Sequence, residues 1–164
     1  PSLSPSMDIQ VSSNFERLLF ELTRRDAPRV SGFMDALARD GRFEMAGDEV
    51  ALMSALFDAA RVDEDQTQET MRDVLKRFDM QIDPHTAVGL AAARRAVLPD
   101  GVPMVTLATA HPAKFPVAVE AAFGTGPDIP AHVREMMTRP ERISPVENAL
   151  DAVQTFIRQN GRMG

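Results

Sequence analysis

Two short clusters bring hydroxyl, imidazole and carboxylate groups close enough together to hold a ligand. The first is Thr109-Ala110-His111-Pro112, which follows the apolar run of residues 103–107. In α/β proteins small molecules bind outside the carboxyl ends of strands, where the Thr109 hydroxyl and His111 ring would stand. The second cluster is Asp83-Pro84-His85-Thr86, where a carboxylate and an imidazole two positions apart give a weak metal-ligand pair. Each cluster also has a plainer reading. Thr109 and His111 could satisfy the strand end and cap the following turn, and Asp83 could cap a helix that begins at Pro84. Spacing alone leaves both readings open. Zinc sites normally use three or four ligands, and His85, His111 and His132 show no converging spacing, so no metal is expected. The helix starts after Ser13, Asp83 and Thr109 could each meet an anion through free backbone N–H groups, as any helix start can.

The elements that must position these groups are mostly helical. Residues 103–107 form the best strand pattern, and residues 112–123 read as a helix stopped by Gly124 and Gly126. Asp83 and Pro84 open a small-residue helix over residues 87–97. Its Gly89, Ala91, Ala92 and Ala93 permit close packing against a sheet or a cofactor. Residues 7–11 alternate apolar and polar, as a short strand would. Ser13 and Glu16 then have capping-box spacing ahead of a stripe of Phe15, Leu18, Leu19 and Leu22.

Residues 28–80 read as a helical subdomain or insertion carrying three stripes. These are Val30, Phe33, Met34 and Leu37; Val50, Met53, Leu56 and Phe57; and Met71, Val74, Leu75 and Phe78. Asp63 and Gln66 have cap spacing, and the acidic run Asp63-Glu64-Asp65 reads as solvated helix surface. Residues 130–137 make a short helix. Ser144 and Glu147 repeat the capping box before a last stripe of Val146, Leu150, Val153, Phe156 and Ile157, ended by Gly161. The expected class is α/β, mainly helical with few strands. Two strands cannot make a stable sheet alone, so the chain reads as a fragment or as needing a partner.

The chain has 164 residues, a net charge of −6, no Cys and 44% hydrophobic residues. That is one domain, or part of one. An acidic chain lacks the clustered Lys and Arg that phosphate backbones require, so nucleic acid is not an expected partner. No apolar run is long enough to span a bilayer, and the lack of Cys fits a reducing cytoplasm. No G-x-S-x-G, P-loop or G-x-G-x-x-G motif is present; Gly124-Thr125-Gly126 lacks the third Gly and follows a helix.

Three ordered blocks carry a resemblance. They are Ser4-Pro5-Ser6-Met7-Asp8-Ile9 with residues 11–19, then Asp83-Pro84-His85-Thr86-Ala87-Val88-Gly89, then Thr109-Ala110-His111-Pro112-Ala113-Lys114-Phe115. Together they resemble the C-terminal third of threonine synthases. The resemblance implies the tryptophan synthase β-like fold of pyridoxal-phosphate enzymes, with residues 1–164 forming the C-terminal part of its cofactor-binding large domain. It implies conversion of O-phospho-L-homoserine and water into L-threonine and phosphate. It also implies that the Thr109 hydroxyl meets the pyridine nitrogen of pyridoxal 5′-phosphate, with Asp83, His85, Thr86 and His111 as active-site neighbours.

The family's Schiff-base Lys lies in a Ser-Phe-Lys-Asp-type motif, and its phosphate loop is Gly-rich. Neither occurs here, and neither Lys76 nor Lys114 stands in such a context. The catalytic Lys is therefore expected in an N-terminal part of the same polypeptide, and the fragment alone is expected to be inactive. Two other readings stand beside this one: a non-catalytic helical interaction module derived from the fold, and another lyase of the same cofactor class, such as a hydroxy amino acid dehydratase.

Overall fold

Eight α-helices and two 3-10 turns make up the computed structural model, which describes residues 1–161, and no strand occurs among them. The helices are α1 (Ser13–Leu22), α2 (Ala27–Asp40), α3 (Gly47–Ser54), α4 (Glu64–Phe78), α5 (Pro84–Ala93), α6 (Pro116–Phe123), α7 (Ala131–Met137) and α8 (Leu150–Asn160). They fall into two compact units. Pro1–Asp128 contains α1 to α6, and the second unit, from Ile129 onward, contains α7 and α8. None of the described helices is long and apolar enough to cross a membrane.

Three helices of the first unit begin at Asp residues whose carboxylates accept the orphan N–H groups of the first turn. Asp26 accepts from Arg29 at 3.1 Å ahead of α2. Asp63 and Gln66 exchange bonds of 3.0 and 3.3 Å ahead of α4, completing the reciprocal cap expected there. Asp83 caps α5. Helix α6 stops at Gly124, where φ is +72° and a residue with a Cβ would be strained.

The core of this unit lies where α4 packs on both α5 and α6. It consists of Met71 and Val74 from α4, Ile82 and Ala87 around α5, and Val119 and Ala122 from α6, with Leu90 and Phe123 at its margin. Around α1, α2 and α3 a second contact region buries Leu19 and Phe33. Phe33 packs on Phe43 with ring centroids 5.0 Å apart. Arg29 spans from α2 to Glu49 of α3 at 2.5 Å.

Both expected strands are absent. Residues 7–11 are displaced by a 3-10 turn at Pro5–Met7, because Asp8 folds back to accept the Ser2 N–H at 2.6 Å and its hydroxyl at 2.9 Å. Those bonds hold the Asp8 carboxyl below its ordinary range. Such local bonding competes with sheet formation. Residues 103–107 lack any second strand with which to pair. The α/β expectation thus gives way to an all-helical set of described elements.

Two expected caps also fail. Ser12, not Ser13, precedes α1 and makes no side-chain cap bond. The last helix starts at Leu150 instead of near Val146. The Ala149 N–H bonds the Glu147 carbonyl at 2.8 Å, a turn too tight to continue an α-helix. Elsewhere, α3 ends before Leu56 and Phe57, which are exposed. Pro116 splits the expected helix over residues 112–123, since the residue before a proline avoids helical geometry and Phe115 adopts φ −129°.

Candidate functional site

The N-terminus of α5 is the most densely bonded buried polar spot among the described residues. Asp83, in extended geometry at φ −77°, ψ 160°, turns its carboxylate back over the first turn of the helix. Its Oδ1 accepts the His85 N–H at 3.0 Å, the Thr86 N–H at 3.4 Å and the His85 ring Nδ1–H at 3.0 Å. Its Oδ2 accepts the Thr86 hydroxyl. Asp83 is 0% exposed, His85 4% and Thr86 7%. A buried carboxylate is tolerated when donors surround it, and four do so here.

His85 carries the network outward. Its Nε2 accepts the backbone N–H of Ser6 at 3.1 Å. An N–H can only donate, so the ring proton sits on Nδ1 and points at Asp83. The Phe115 ring lies over the imidazole with centroids 4.5 Å apart and planes inclined by 54°. The three sequence blocks singled out above therefore meet at one side chain. Just ahead of the first block, the Leu3 N–H donates to Glu64 Oε1 at 3.0 Å and ties this segment down a second time.

The predicted site residues separate into two kinds. Asp83, His85 and Thr86 come together, with all their principal groups engaged within the protein. Thr109 and His111 do not join them; both are exposed. The His111 Nδ1 accepts the Ala113 N–H at 3.1 Å and caps the 3-10 turn Pro112–Lys114, the plainer of its two roles. No hydrogen bond engages the Thr109 hydroxyl among the described residues. From this block, Phe115 packs on the buried cluster through the His85 ring. No group of three or more His, Cys, Asp or Glu among the described residues is placed to hold a metal ion.

Ser6 and Phe115 are the contacts of this cluster that single-residue reasoning overlooked. Both lie inside the recognised blocks, but a backbone N–H and an aromatic face carry no motif. The distance between Ser6 and His85, 79 positions along the chain, places the contact beyond any local pattern.

Comparison with known proteins gives these contacts a context. A family model described as "Threonine synthase, C-terminal" matches residues 86–157. The threonine synthase of Pseudomonas aeruginosa is 46% identical over 165 residues, covering 100% of this chain and 35% of that protein. That of Corynebacterium glutamicum is 38% identical, covering 94% and 33%. Among solved structures, threonine synthase from Brucella melitensis with pyridoxal phosphate bound superposes with a TM-score of 0.77 at 43% identity. That match covers 99% of this chain and 35% of the other. The yeast enzyme gives a TM-score of 0.71 at 29% identity, covering 97% and 36%. The chain spans about a third of the length of these relatives. Matched from end to end in sequence and in fold, it belongs with the C-terminal region of the threonine synthases.

Proposed function

We propose that this chain is the C-terminal portion of a threonine synthase, which converts O-phospho-L-homoserine and water into L-threonine and phosphate with pyridoxal 5′-phosphate. The observation that carries this reading is the convergence of the three family-like blocks on His85. On this reading residues 1–164 are part of the large cofactor-binding domain of a tryptophan synthase β-like α/β fold. Residues 28–80 form a helical subdomain within it.

The residues present fit one wall of a cofactor site. Thr109 offers an exposed hydroxyl that can hydrogen-bond a ring nitrogen. Because a neutral hydroxyl cannot hold that nitrogen protonated as a carboxylate would, it moderates the electron-withdrawing power of the ring. When bound, pyridoxal phosphate supplies the sink for negative charge that develops beside the substrate amino group.

The chain's own residues do the positioning. Asp83 fixes the His85 ring, His85 holds Ser6 and backs Phe115, and Phe115 anchors the far end of the segment bearing Thr109. His111 fixes the turn between Thr109 and Phe115. The two lysines do not fit the covalent role. Lys76 and Lys114 are both exposed, and neither bonds the Asp83 cluster. The bond-forming lysine and the phosphate loop belong to the remaining two thirds of such a polypeptide, so the isolated chain is expected to be inactive.

The test is a full-length chimera in which this chain replaces the matching third of the Pseudomonas aeruginosa threonine synthase. The chimera is expected to turn over O-phospho-L-homoserine. Thr109→Val is expected to lower kcat at least about tenfold, or ~1.4 kcal/mol, and to shift the cofactor absorption band. Unchanged turnover and an unshifted band would remove Thr109 from the cofactor wall. A folded, cofactor-loaded chimera that dehydrates hydroxy amino acids instead would favour a different lyase of the same class.

A further inference from the structure

The lone pair on Nε2 of His85 serves the Ser6 N–H, 3.1 Å away. An imidazole nitrogen has one such pair, so it can accept that N–H or bind a proton, never both. The opposite nitrogen is committed as well, since Nδ1–H donates to Asp83 Oδ1 at 3.0 Å. Charging this ring therefore sets a new Nε2–H against the Ser6 N–H, donor against donor, in a place where His85 is only 4% exposed. Histidine is the side chain that ordinarily changes charge between pH 5 and 8.

Elsewhere the surroundings of the ring accept the charge. Asp83 lies at hydrogen-bond distance, and Asp8 stands within electrostatic reach of His85. The Ser2 N–H and hydroxyl hold the Asp8 carboxyl below its ordinary range, aided by the Pro1 amino group, so it is still an anion when a histidine charges. Phe115, with its ring centroid 4.5 Å from that of His85, presents an aromatic ring that attracts a cation. On α4, Glu64 reaches the N-terminal segment through Leu3, and beside Phe115 stand His111 and Lys114. None of these three hydrogen-bonds the His85 ring among the described residues.

We propose that His85 is a proton-controlled positioning residue: proton uptake at Nε2 releases the Ser6 backbone and loosens the first block, while the ring keeps its hold on Asp83 and Phe115. One proton from solvent is gained at Nε2, one hydrogen bond is lost, and the Ser6 N–H turns to water. The Leu3 N–H stays on Glu64 Oε1, so the segment opens around Ser6 and is not cast off. The release follows from the geometry of the ring; its consequence for turnover rests on the function proposed above. On that reading the first block parts from the other two as pH falls, and turnover falls with it.

The test is amide hydrogen exchange at Ser6 in the full-length chimera, corrected for the intrinsic effect of pH on exchange. Between pH 8 and pH 5.5 the Ser6 amide is expected to lose at least about tenfold in protection, with the Leu3 amide unchanged as internal reference. His85→Gln supplies an uncharged acceptor near the place of Nε2 and is expected to keep the Ser6 amide protected across the whole range. It is also expected to flatten the decline of kcat toward pH 5.5 relative to the parent. Asp8→Asn removes an anion that favours the charged ring, and is expected to move the Ser6 transition down by about 0.3 pH units.

A chimera that turns over O-phospho-L-homoserine but holds Ser6 equally at both pH values would overturn the proton control and leave the enzyme reading standing. A loss of Ser6 protection that persists in His85→Gln, or a transition unmoved in Asp8→Asn, would place the sensor on another group and overturn the proposal. An identical decline of kcat in His85→Gln and the parent would deny His85 its positioning role. Release at Ser6 in a folded chimera without turnover would sustain the proton control and overturn the enzyme reading.

Discussion

Asp83 answers four donors with two oxygens, and that arithmetic sets what its loss would cost. Asp83→Ala removes a helix cap worth about 1 kcal/mol. It also leaves the buried His85 Nδ1–H and Thr86 hydroxyl without acceptors, at about 1–3 kcal/mol for such a group. A destabilisation of about 3 kcal/mol in urea unfolding is the expected outcome; less than 1 kcal/mol would show that the cluster relaxes onto water. The cap itself was legible in the sequence, since Asp followed by Pro announces a helix start. The rest of the network was not. Which nitrogen of His85 bears the proton depends on Ser6, and Phe115 finds the ring through tertiary packing alone.

Between elements, the clearest electrostatic tie is Arg29 of α2 with Glu49 of α3. The Arg29 guanidinium, helped by the Ala46 N–H, holds the Glu49 carboxyl below its ordinary range against the opposing effect of burial. A carboxyl lowered on folding contributes stability above its unfolded pKa of about 4.3 and loses that contribution as pH falls through the folded value. Unfolding midpoints measured from pH 7 down to pH 3 should therefore fall less steeply on the acid side in Glu49→Gln than in the parent. Parallel acid limbs would show that the pair is screened in solution.

Legibility at this scale followed the strength of the local signal. Helix α4 formed as expected from its apolar stripe and its Asp63–Gln66 cap, and the stripe from Val30 to Leu37 lies within α2, whereas α5 began at the expected Asp83 cap but stops at Ala93, short of residue 97. Ser-x-x-Glu spacing alone misled at Ser13 and Ser144, because the actual chain turns differently there. The strand-like run at residues 103–107 has no second strand to pair with among the described residues, and that at residues 7–11 gives way to the turn in which Asp8 bonds Ser2.

Taken whole, the molecule leaves much apolar surface open. Val97, Leu56, Val105, Leu107, Ile143 and Leu150 are all exposed. Val105 and Leu107 lie together with Leu98 and Met104 around one groove, and a contiguous apolar patch usually marks a surface awaiting a partner. The isolated chain is accordingly expected to enhance the fluorescence of the dye ANS without denaturant, and the chimera to do so much less. Equal enhancement in both would mean that this surface stays open in the longer polypeptide. Composition foreshadowed the shortage of sheet partners, since a chain with only two strand-like runs cannot complete an α/β layer. It could not reveal which surfaces would be left open, because that follows from how α4, α5 and α6 close around one another.

The bond from Ser6 to His85 also has a temporal consequence. At about 5–20 residues per second, a ribosome takes roughly 4–16 s to add the 79 positions between them. The first block is thus made before the Asp-Pro-His turn that receives it, and its Ser6 contact forms only once that turn emerges. Synonymous codon changes that slow translation between these blocks would lengthen that interval and expose the segment longer to proteases.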